Sequence, residues 1–327
     1  QQGIVAGEGC LSCIDGLLQE EEAMQKIDWS VLGTPAWDLF DLQAYIPSAH
    51  RYRYSPVLPV MASRSCPFAC DFCPQSLFHA SDVYSARPAE DILHEILELR
   101  EKYNVQHIEF YDPTFGINKE ITLELLERLK NLNPPLAWSC YSRSDLLDRT
   151  MLQKMAEAGC QSILFGVESG DEAVLKRTQK DLDLEQVNRM VRECKEFGIS
   201  TIASFIMGLP LDSKESLNQT IDYACRLNPT YAQFHQARDF FSHRSWKELG
   251  TVDDNWKEMA SSINGLAYIP NGMTQKELSR LLAKAYIKFY LSPSKLRLFR
   301  KELRSSQDLH RYWKGIKQMT RYVVQQG

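Results

Sequence analysis

From Leu58 to His235 the chain repeats one unit, a short β-rich run followed by a longer amphipathic stretch. The runs are Leu58 to Ala62, His107 to Tyr111, Ala137 to Tyr141, Ser162 to Val167, Thr201 to Met207 and Tyr231 to His235. Between them apolar residues recur at helical spacing, as in Ile92, Leu93, Ile96 and Leu97, or Ile121, Leu125, Leu126 and Leu129. Such alternation calls for parallel strands joined by crossover helices. Pro88 in a first helical turn, and Gly159 and Gly198 just ahead of strands, punctuate the units where helices should start and stop. Six units are too few for a closed eight-stranded barrel. The expected fold is therefore α/β, an open, partial (β/α)6 barrel. After about residue 270 the pattern turns helical, over Thr274 to Tyr290, Pro293 to Leu303 and Leu309 to Val323. This gives an expected division into an N-terminal segment 1–54, a barrel 55–245 and a C-terminal helical extension 246–327.

With 327 residues, 44% of them hydrophobic, the chain can bury one large core. The 38 basic and 42 acidic residues leave a formal charge of -4, so bulk charge gives no reason to expect a nucleic-acid partner. No run approaches the roughly 18 apolar residues that span a bilayer, and no basic-then-apolar leader opens the chain. The expectation is a soluble, cytoplasmic protein. Nine cysteines, an odd number, are scattered along the chain, and three crowd into eight positions, which suits metal ligation in a reducing compartment better than a disulfide framework. The strand-like run Gly3 to Gly7, leading into Gly7-Glu8-Gly9, would normally belong to a larger sheet, as in a fragment of a longer chain.

Those three cysteines, Cys66, Cys70 and Cys73, sit on the loop that follows the first strand, with three and then two residues between them. Parallel βα folds place their chemistry on such loops, at the carboxyl ends of the strands. A [4Fe–4S] cluster has four irons, normally with one thiolate each, so three thiolates leave one iron open to a small chelating ligand. A zinc loop would need a fourth ligand, for which His79 or a distant cysteine is available.

The triplet Cys66-Pro67-Phe68-Ala69-Cys70-Asp71-Phe72-Cys73, with an aromatic before the third cysteine, resembles the signature of the radical S-adenosylmethionine superfamily. The resemblance extends over roughly residues 55 to 240. It implies that Cys66, Cys70 and Cys73 hold a [4Fe–4S] cluster whose open iron takes the amino and carboxylate groups of S-adenosylmethionine. One electron from the cluster then yields a 5′-deoxyadenosyl radical. By the same resemblance Phe72 would lie against the adenine, and Asp112 in Tyr111-Asp112-Pro113 would face the amino group. Arg143, closing the third strand, would meet the carboxylate or else serve as a structural ion-pair partner. Gly166-Val167-Glu168-Ser169-Gly170 is similar to the family's fourth-strand turn, so Glu168 and Ser169 become candidate contacts to the ribose or amino-acid part. Met207-Gly208-Leu209-Pro210 is similar to the fifth-strand turn whose backbone abuts the adenine, although an ordinary strand-ending turn would use the same residues.

The flanks, Gly7-Glu8-Gly9 and Pro35-Ala36-Trp37-Asp38-Leu39-Phe40, together with Phe289-Tyr290-Leu291-Ser292-Pro293 in the tail, look like the cobalamin-associated branch, many of whose members are methyltransferases. About 55 residues ahead of the barrel cannot supply the pre-formed surface a corrin ring needs, so the chain as given is expected to bind cobalamin poorly or not at all. It also departs from that branch after the sixth strand, where Pro-Gly-Thr is replaced by Ala237 through Trp246. Arg238, His243 and Arg244 in that loop are the candidate substrate contacts, with a plain surface connector as the competing reading. Cys10 and Cys13 form a C-x-x-C that could be a second metal or redox site or a pair of idle thiols, while Cys140, Cys160, Cys194 and Cys225 fall in core patterns.

Three functions stay open. They are a cobalamin-dependent radical methyltransferase, a cobalamin-independent radical enzyme for cyclisation, desaturation or cross-linking, and a non-catalytic metal-binding module. The enzyme readings imply a small-molecule or peptide substrate and a reductant such as flavodoxin or ferredoxin. Methylthio-transfer to RNA fits poorly, since the extra three-cysteine domain and terminal nucleic-acid-binding barrel of that group have no counterpart in the sequence.

Overall fold

The computed structural model describes residues 11–14, 17–20, 28–42, 52, 54–77, 84–239, 250–252 and 266–302. The strand expected at 3–7 with its Gly-Glu-Gly turn, Cys10, His79, His243, Arg244 and the helix expected at 309–323 lie outside the described residues. Cys13 falls in a two-stranded antiparallel ribbon, Leu11–Ile14 with Leu17–Glu20.

Six parallel strands form the main sheet: β1 (Val57–Val60), β2 (His107–Phe110), β3 (Ala137–Ser142), β4 (Cys160–Glu168), β5 (Ser200–Met207) and β6 (Tyr231–Gln236). In space they follow chain order, so every crossover steps the same way. With the usual right-handed crossover, that places all the connecting helices on one face and leaves the other concave. These helices are α1 (Ala89–Tyr103), α2 (Lys119–Lys130), α3 (Arg149–Glu157), α4 (Leu184–Glu196) and α5 (Lys214–Leu227). The result is the open, partial (β/α)6 barrel expected from the alternation, with strand ends within two residues of those read from the sequence.

The pairing register sorts the side chains into two faces. Ile108, Phe110, Trp138, Ile163, Phe165, Phe205 and Phe234 face the helices and are almost wholly buried. Phe110 stacks on Phe115 at 4.8 Å and meets Trp138 edge-on at 5.4 Å. Burying each such side chain contributes about 1.5–3 kcal/mol, which makes this layer the main source of stability. The opposite face carries His107, Glu109 and Tyr111 on β2, level with Ser139 and Tyr141 on β3. Ser162, Leu164 and Gly166 continue it on β4, followed by Ile202, Ser204 and Ile206 on β5 and Tyr231, Gln233 and His235 on β6. This concave face mixes polar, aromatic and aliphatic side chains where the helix side is apolar.

An open barrel has edges that must be protected. At β6 the covering element is α6 (Gln275–Tyr290), started by a Thr274–Glu277 capping box and followed by α7 (Pro293–Glu302). Tyr286 and Tyr290 of α6 hydrogen-bond to the backbone of Phe234 and Ala232, and the buried Lys295 donates to the carbonyls of Pro229 and Thr230. Beyond the end of β6, Arg238–Asp239 pairs antiparallel with Leu266–Pro270, which also pairs with Gly250–Val252. The stretch after 246 is therefore not helical throughout, because two strands from it, Gly250–Val252 and Leu266–Pro270, join Arg238–Asp239 in a separate three-stranded antiparallel sheet. Among the described residues no helix is long and apolar enough to cross a membrane.

Candidate active site

The cysteine loop leaves β1 and is held at once by Asp112, two residues past the end of β2. Asp112 accepts hydrogen bonds from the backbone N–H of Ala62 (3.2 Å) and of Ser63, and from the Ser63 hydroxyl (2.7 Å). Burial pushes its carboxyl up to about 6, against the pull of these donors. Ser65 then turns the chain in the left-handed region (φ 68°), and Cys66 Sγ comes to rest 3.6 Å from the Thr114 hydroxyl. Asp112, expected at the amino group of S-adenosylmethionine, thus spends both oxygens on the base of the loop.

The far side of the loop docks on the segment between β4 and α4. Asp71 N–H donates to the Thr178 carbonyl (3.0 Å) and its carboxylate lies 3.5 Å from Arg177, while Cys73 N–H closes a turn onto the Cys70 carbonyl. Lys180 follows in a short loop where Gln179 (φ 53°) and Asp181 (φ 44°) both adopt left-handed backbone. That strained loop aims a buried ammonium inward, 3.2 Å from Glu168 Oε1 and 5.8 Å from the centre of the Phe72 ring. Glu168 itself sits at φ 69°, where the β4–β5 register slips. Strained backbone in a site of this kind is a mark of function. Gly166 lies beneath the pair, where a Cβ would stand 2.4 Å from Glu168 Oε1 and 3.1 Å from Lys180 Nζ and so displace the ends of both side chains.

Arg143 completes the ring of charge. Its Nε and Nη2 donate to the Asp145 carboxylate at 3.0 and 2.8 Å. The same guanidinium donates to the Lys180 carbonyl (3.0 Å) and to Cys70 Sγ (3.5 Å). Burial pushes the Cys70 thiol up, while the nearby Lys180 and Arg143 pull it down; burial likewise raises Cys73. Cations beside a buried thiol favour the thiolate, the form that ligates metal.

Three thiols on one loop, Cys66 and Cys70 buried and Cys73 half-buried, can each take their own iron, which is the donor set of a [4Fe–4S] centre with one iron left open.

The remaining sequence candidates divide. Phe72 packs with Val174, Ile206, Leu209, Ala237 and Tyr268 in a small second core beside the loop. Met207 is fully buried, and Gly208 (φ 91°) turns the chain with Leu278 only 2.9 Å from where a Cβ would be. Ser169 faces away from the loop, its hydroxyl 3.2 Å from that of Thr220. Arg238 is half-buried at the start of the antiparallel sheet. Cys140, Cys160 and Cys194 are buried and Cys225 is half-buried. Sequence reasoning missed Lys180, Thr178, Asp212 and Tyr268. Asp212 holds the Gly208 and Leu209 amides at 3.0 and 2.8 Å and accepts from the Ser216 hydroxyl. Its position just ahead of a Ser213 helix cap was the available signal.

The family described as the radical SAM superfamily matches residues 60–224. An uncharacterized methyltransferase of Pyrococcus horikoshii is 31% identical over 80% of this chain and 56% of its own length. The anaerobic magnesium-protoporphyrin IX monomethyl ester cyclase of Rubrivivax gelatinosus is 26% identical over 79% of this chain and 46% of its own length. The chain spans about half the length of the curated relatives it matches. Among solved structures, the radical S-adenosylmethionine methyltransferase TsrM from Kitasatospora setae, with cobalamin and a [4Fe–4S] cluster bound, superposes with a TM-score of 0.62 at 15% identity, over 82% of this chain and 61% of that one. At that identity the likeness bears on the fold.

Proposed function

The chain belongs to the radical S-adenosylmethionine superfamily, and from that premise we propose that it is an enzyme that transfers a methyl group to an unactivated carbon of a small-molecule or peptide substrate. The observation that carries the reading is the loop itself. Cys66, Cys70 and Cys73 stand at the carboxyl end of β1, ringed by Arg143, Lys180 and Glu168. When bound there, a [4Fe–4S] cluster and S-adenosylmethionine supply a reductively generated 5′-deoxyadenosyl radical able to abstract hydrogen.

The chain's own residues hold and orient these groups. Cys66, Cys70 and Cys73 would ligate the cluster. Lys180 offers a cation to a carboxylate, Glu168 an acceptor to an amine or hydroxyl, and Phe72 an aromatic face to the adenine. The backbone of Met207 and Gly208 would border the adenine. Asp112 positions the loop through Ala62 and Ser63. The concave face would take the substrate, with Tyr111 and Tyr141 in edge contact at 5.7 Å near the cysteines and Gln233 and His235 opposite. Arg238, with His243 and Arg244, would bound its rim. Residues 1–54, 55–245 and 246–327 remain the proposed division into segment, barrel and extension.

Methyl transfer is favoured because the Pyrococcus relative and TsrM both carry that name. The TsrM structure contains cobalamin, which makes a cobalamin-dependent transfer one form of this reading. A cobalamin-independent cyclisation is the second reading, and its cyclisation, though not its independence from cobalamin, is favoured by the similarity to the cyclase of Rubrivivax gelatinosus.

The test is anaerobic reconstitution, reduction with dithionite and addition of S-adenosylmethionine. We expect an altered electron paramagnetic resonance (EPR) spectrum of the reduced cluster and formation of 5′-deoxyadenosine. Intact S-adenosylmethionine with an unaltered spectrum would leave a non-catalytic metal-binding module. With substrate in hand, isotopic label from the methyl group of S-adenosylmethionine appears in a methylated product and not in a cyclised one.

A further inference from the structure

Arg143 is committed on every side. Its Nε and Nη2 fork onto Asp145, Nη2 also donates to the Lys180 carbonyl, Nη1 donates to Cys70 Sγ at 3.5 Å, and the guanidinium carbon lies 3.9 Å above the centre of the Phe68 ring. The residue is 6% exposed. Phe68 and Cys70 belong to the cysteine loop, Lys180 to the segment on which that loop docks, and Asp145 to the turn after β3. One side chain therefore ties three separate stretches of chain together at a cluster ligand. To meet the carboxylate of S-adenosylmethionine with its fork, it would have to release Asp145. Lys180 provides a second cation nearby, itself paired with Glu168 Oε1 at 3.2 Å.

We infer that Arg143 serves the cluster rather than S-adenosylmethionine, as a fixed cationic hydrogen-bond donor to the Cys70 thiolate that raises the reduction potential of the centre. The inference rests on the cluster reading above. One-electron reduction by an external donor such as dithionite adds one negative charge to the cluster and its three thiolates. A hydrogen bond and a positive charge at a ligand sulfur stabilise the reduced form more than the oxidised form. Low surrounding dielectric strengthens the effect, and the Phe68 ring keeps water from the guanidinium face. Asp145 acts in the opposite sense, because its carboxylate partly neutralises Arg143. The pair thus sets a potential between the limits of a bare cation and no cation.

These opposite signs separate tuning from mere support. The experiment is an EPR-monitored redox titration of the anaerobically reconstituted full chain without S-adenosylmethionine, with iron content measured in parallel. Arg143→Gln should lower the midpoint, Arg143→Lys should lower it less, and Asp145→Asn should raise it. General loosening of the loop would move all three variants the same way, and that result overturns the inference. An unchanged midpoint in an iron-replete Arg143→Gln protein also overturns it, and weakened binding of S-adenosylmethionine in that variant would return Arg143 to the carboxylate. If Arg143→Gln fails to hold iron, Asp145→Asn decides. A raised midpoint supports the inference, and an unchanged or lowered one refutes it. A wild-type chain with no reducible four-iron signal is a different failure, that of the cluster assignment.

Discussion

Replacing Tyr286 by phenylalanine should unfasten the open edge of the barrel while leaving its packing in place. β6 is the last strand of the sheet, so Ala232 and Phe234 direct backbone groups outward with no strand to receive them. The Tyr286 hydroxyl donates to the Phe234 carbonyl at 3.0 Å and accepts from its N–H at 3.1 Å; one turn later the Tyr290 hydroxyl does the same for Ala232 at 2.8 and 3.2 Å. The spacing works because four helical residues rise about 6 Å, close to the roughly 6.7 Å between alternate residues of a strand. Tyr286→Phe keeps the ring, including its edge contact with Phe234 at 5.3 Å, and strands one buried N–H and one buried C=O. Each unsatisfied group costs about 1–3 kcal/mol, so with some relaxation we expect a loss of about 2–4 kcal/mol. Amide exchange at Phe234 reports this locally, and should accelerate by about 30-fold to 1,000-fold at roughly 1.4 kcal/mol per decade. Urea unfolding should show a lower midpoint at unchanged slope. Exchange within about twofold of wild type, together with an unmoved midpoint, would refute the claim that these hydroxyls protect the edge.

Cys66→Ala, Cys70→Ala and Cys73→Ala should each abolish the four irons and four sulfides expected per chain, measured after anaerobic reconstitution; full iron in all three would remove the cluster from this loop. Lys180→Met leaves Glu168 buried without its partner, at a cost of about 3–5 kcal/mol, and should abolish the response of the reduced cluster to S-adenosylmethionine. Adding Glu168→Gln should recover much of the stability and none of the response. For Asp212, burial raises the folded carboxyl from 3.8 to about 7, so between these values the folded state holds its proton longer than the unfolded state does. Stability should therefore fall as pH rises from about 4 to about 7 and then level off, and Asp212→Asn should flatten that slope in denaturation curves taken across the window.

The barrel was legible because its information is local. Each of the six strands shows itself in a handful of residues, and each helix in a stripe such as Ile92, Ile96 and Leu99, all three wholly buried in the fold. Chain-order packing then leaves little choice of topology. The strand Leu266–Pro270 was not legible for the opposite reason. It forms by antiparallel pairing with Arg238–Asp239 and Gly250–Val252, and a five-residue run ending in proline carries no periodicity of its own. The edge closure was hidden too, since Tyr286 and Tyr290 read as ordinary members of an amphipathic helix until the partners 52 and 58 residues away are seen.

At the site, chemistry was legible where it requires a particular atom and hidden where it requires a particular neighbour. Thiolates are chosen by what they ligate, so the spacing of Cys66, Cys70 and Cys73, together with the resemblance it carries, already proposes them as cluster ligands. Asp112 and Arg143 were reached through the family resemblance, as a carboxylate and a guanidinium at strand ends, yet what each holds depends on groups that only folding supplies. Asp112 reaches back 50 residues to Ala62, and Arg143 reaches 73 residues to Cys70. Lys180 lay in no motif. It becomes a site residue because Gln179 and Asp181 bend the backbone, because Gly166 leaves room, and because Glu168 is turned towards it by a register slip in β4. Of these three conditions only the first lies in the residues beside Lys180, while the other two belong to β4, 12 or more residues earlier. Buried charge in such a site is therefore a property of the assembled strands, and a sequence reading can locate the metal ligands well before it can locate the groups that surround them.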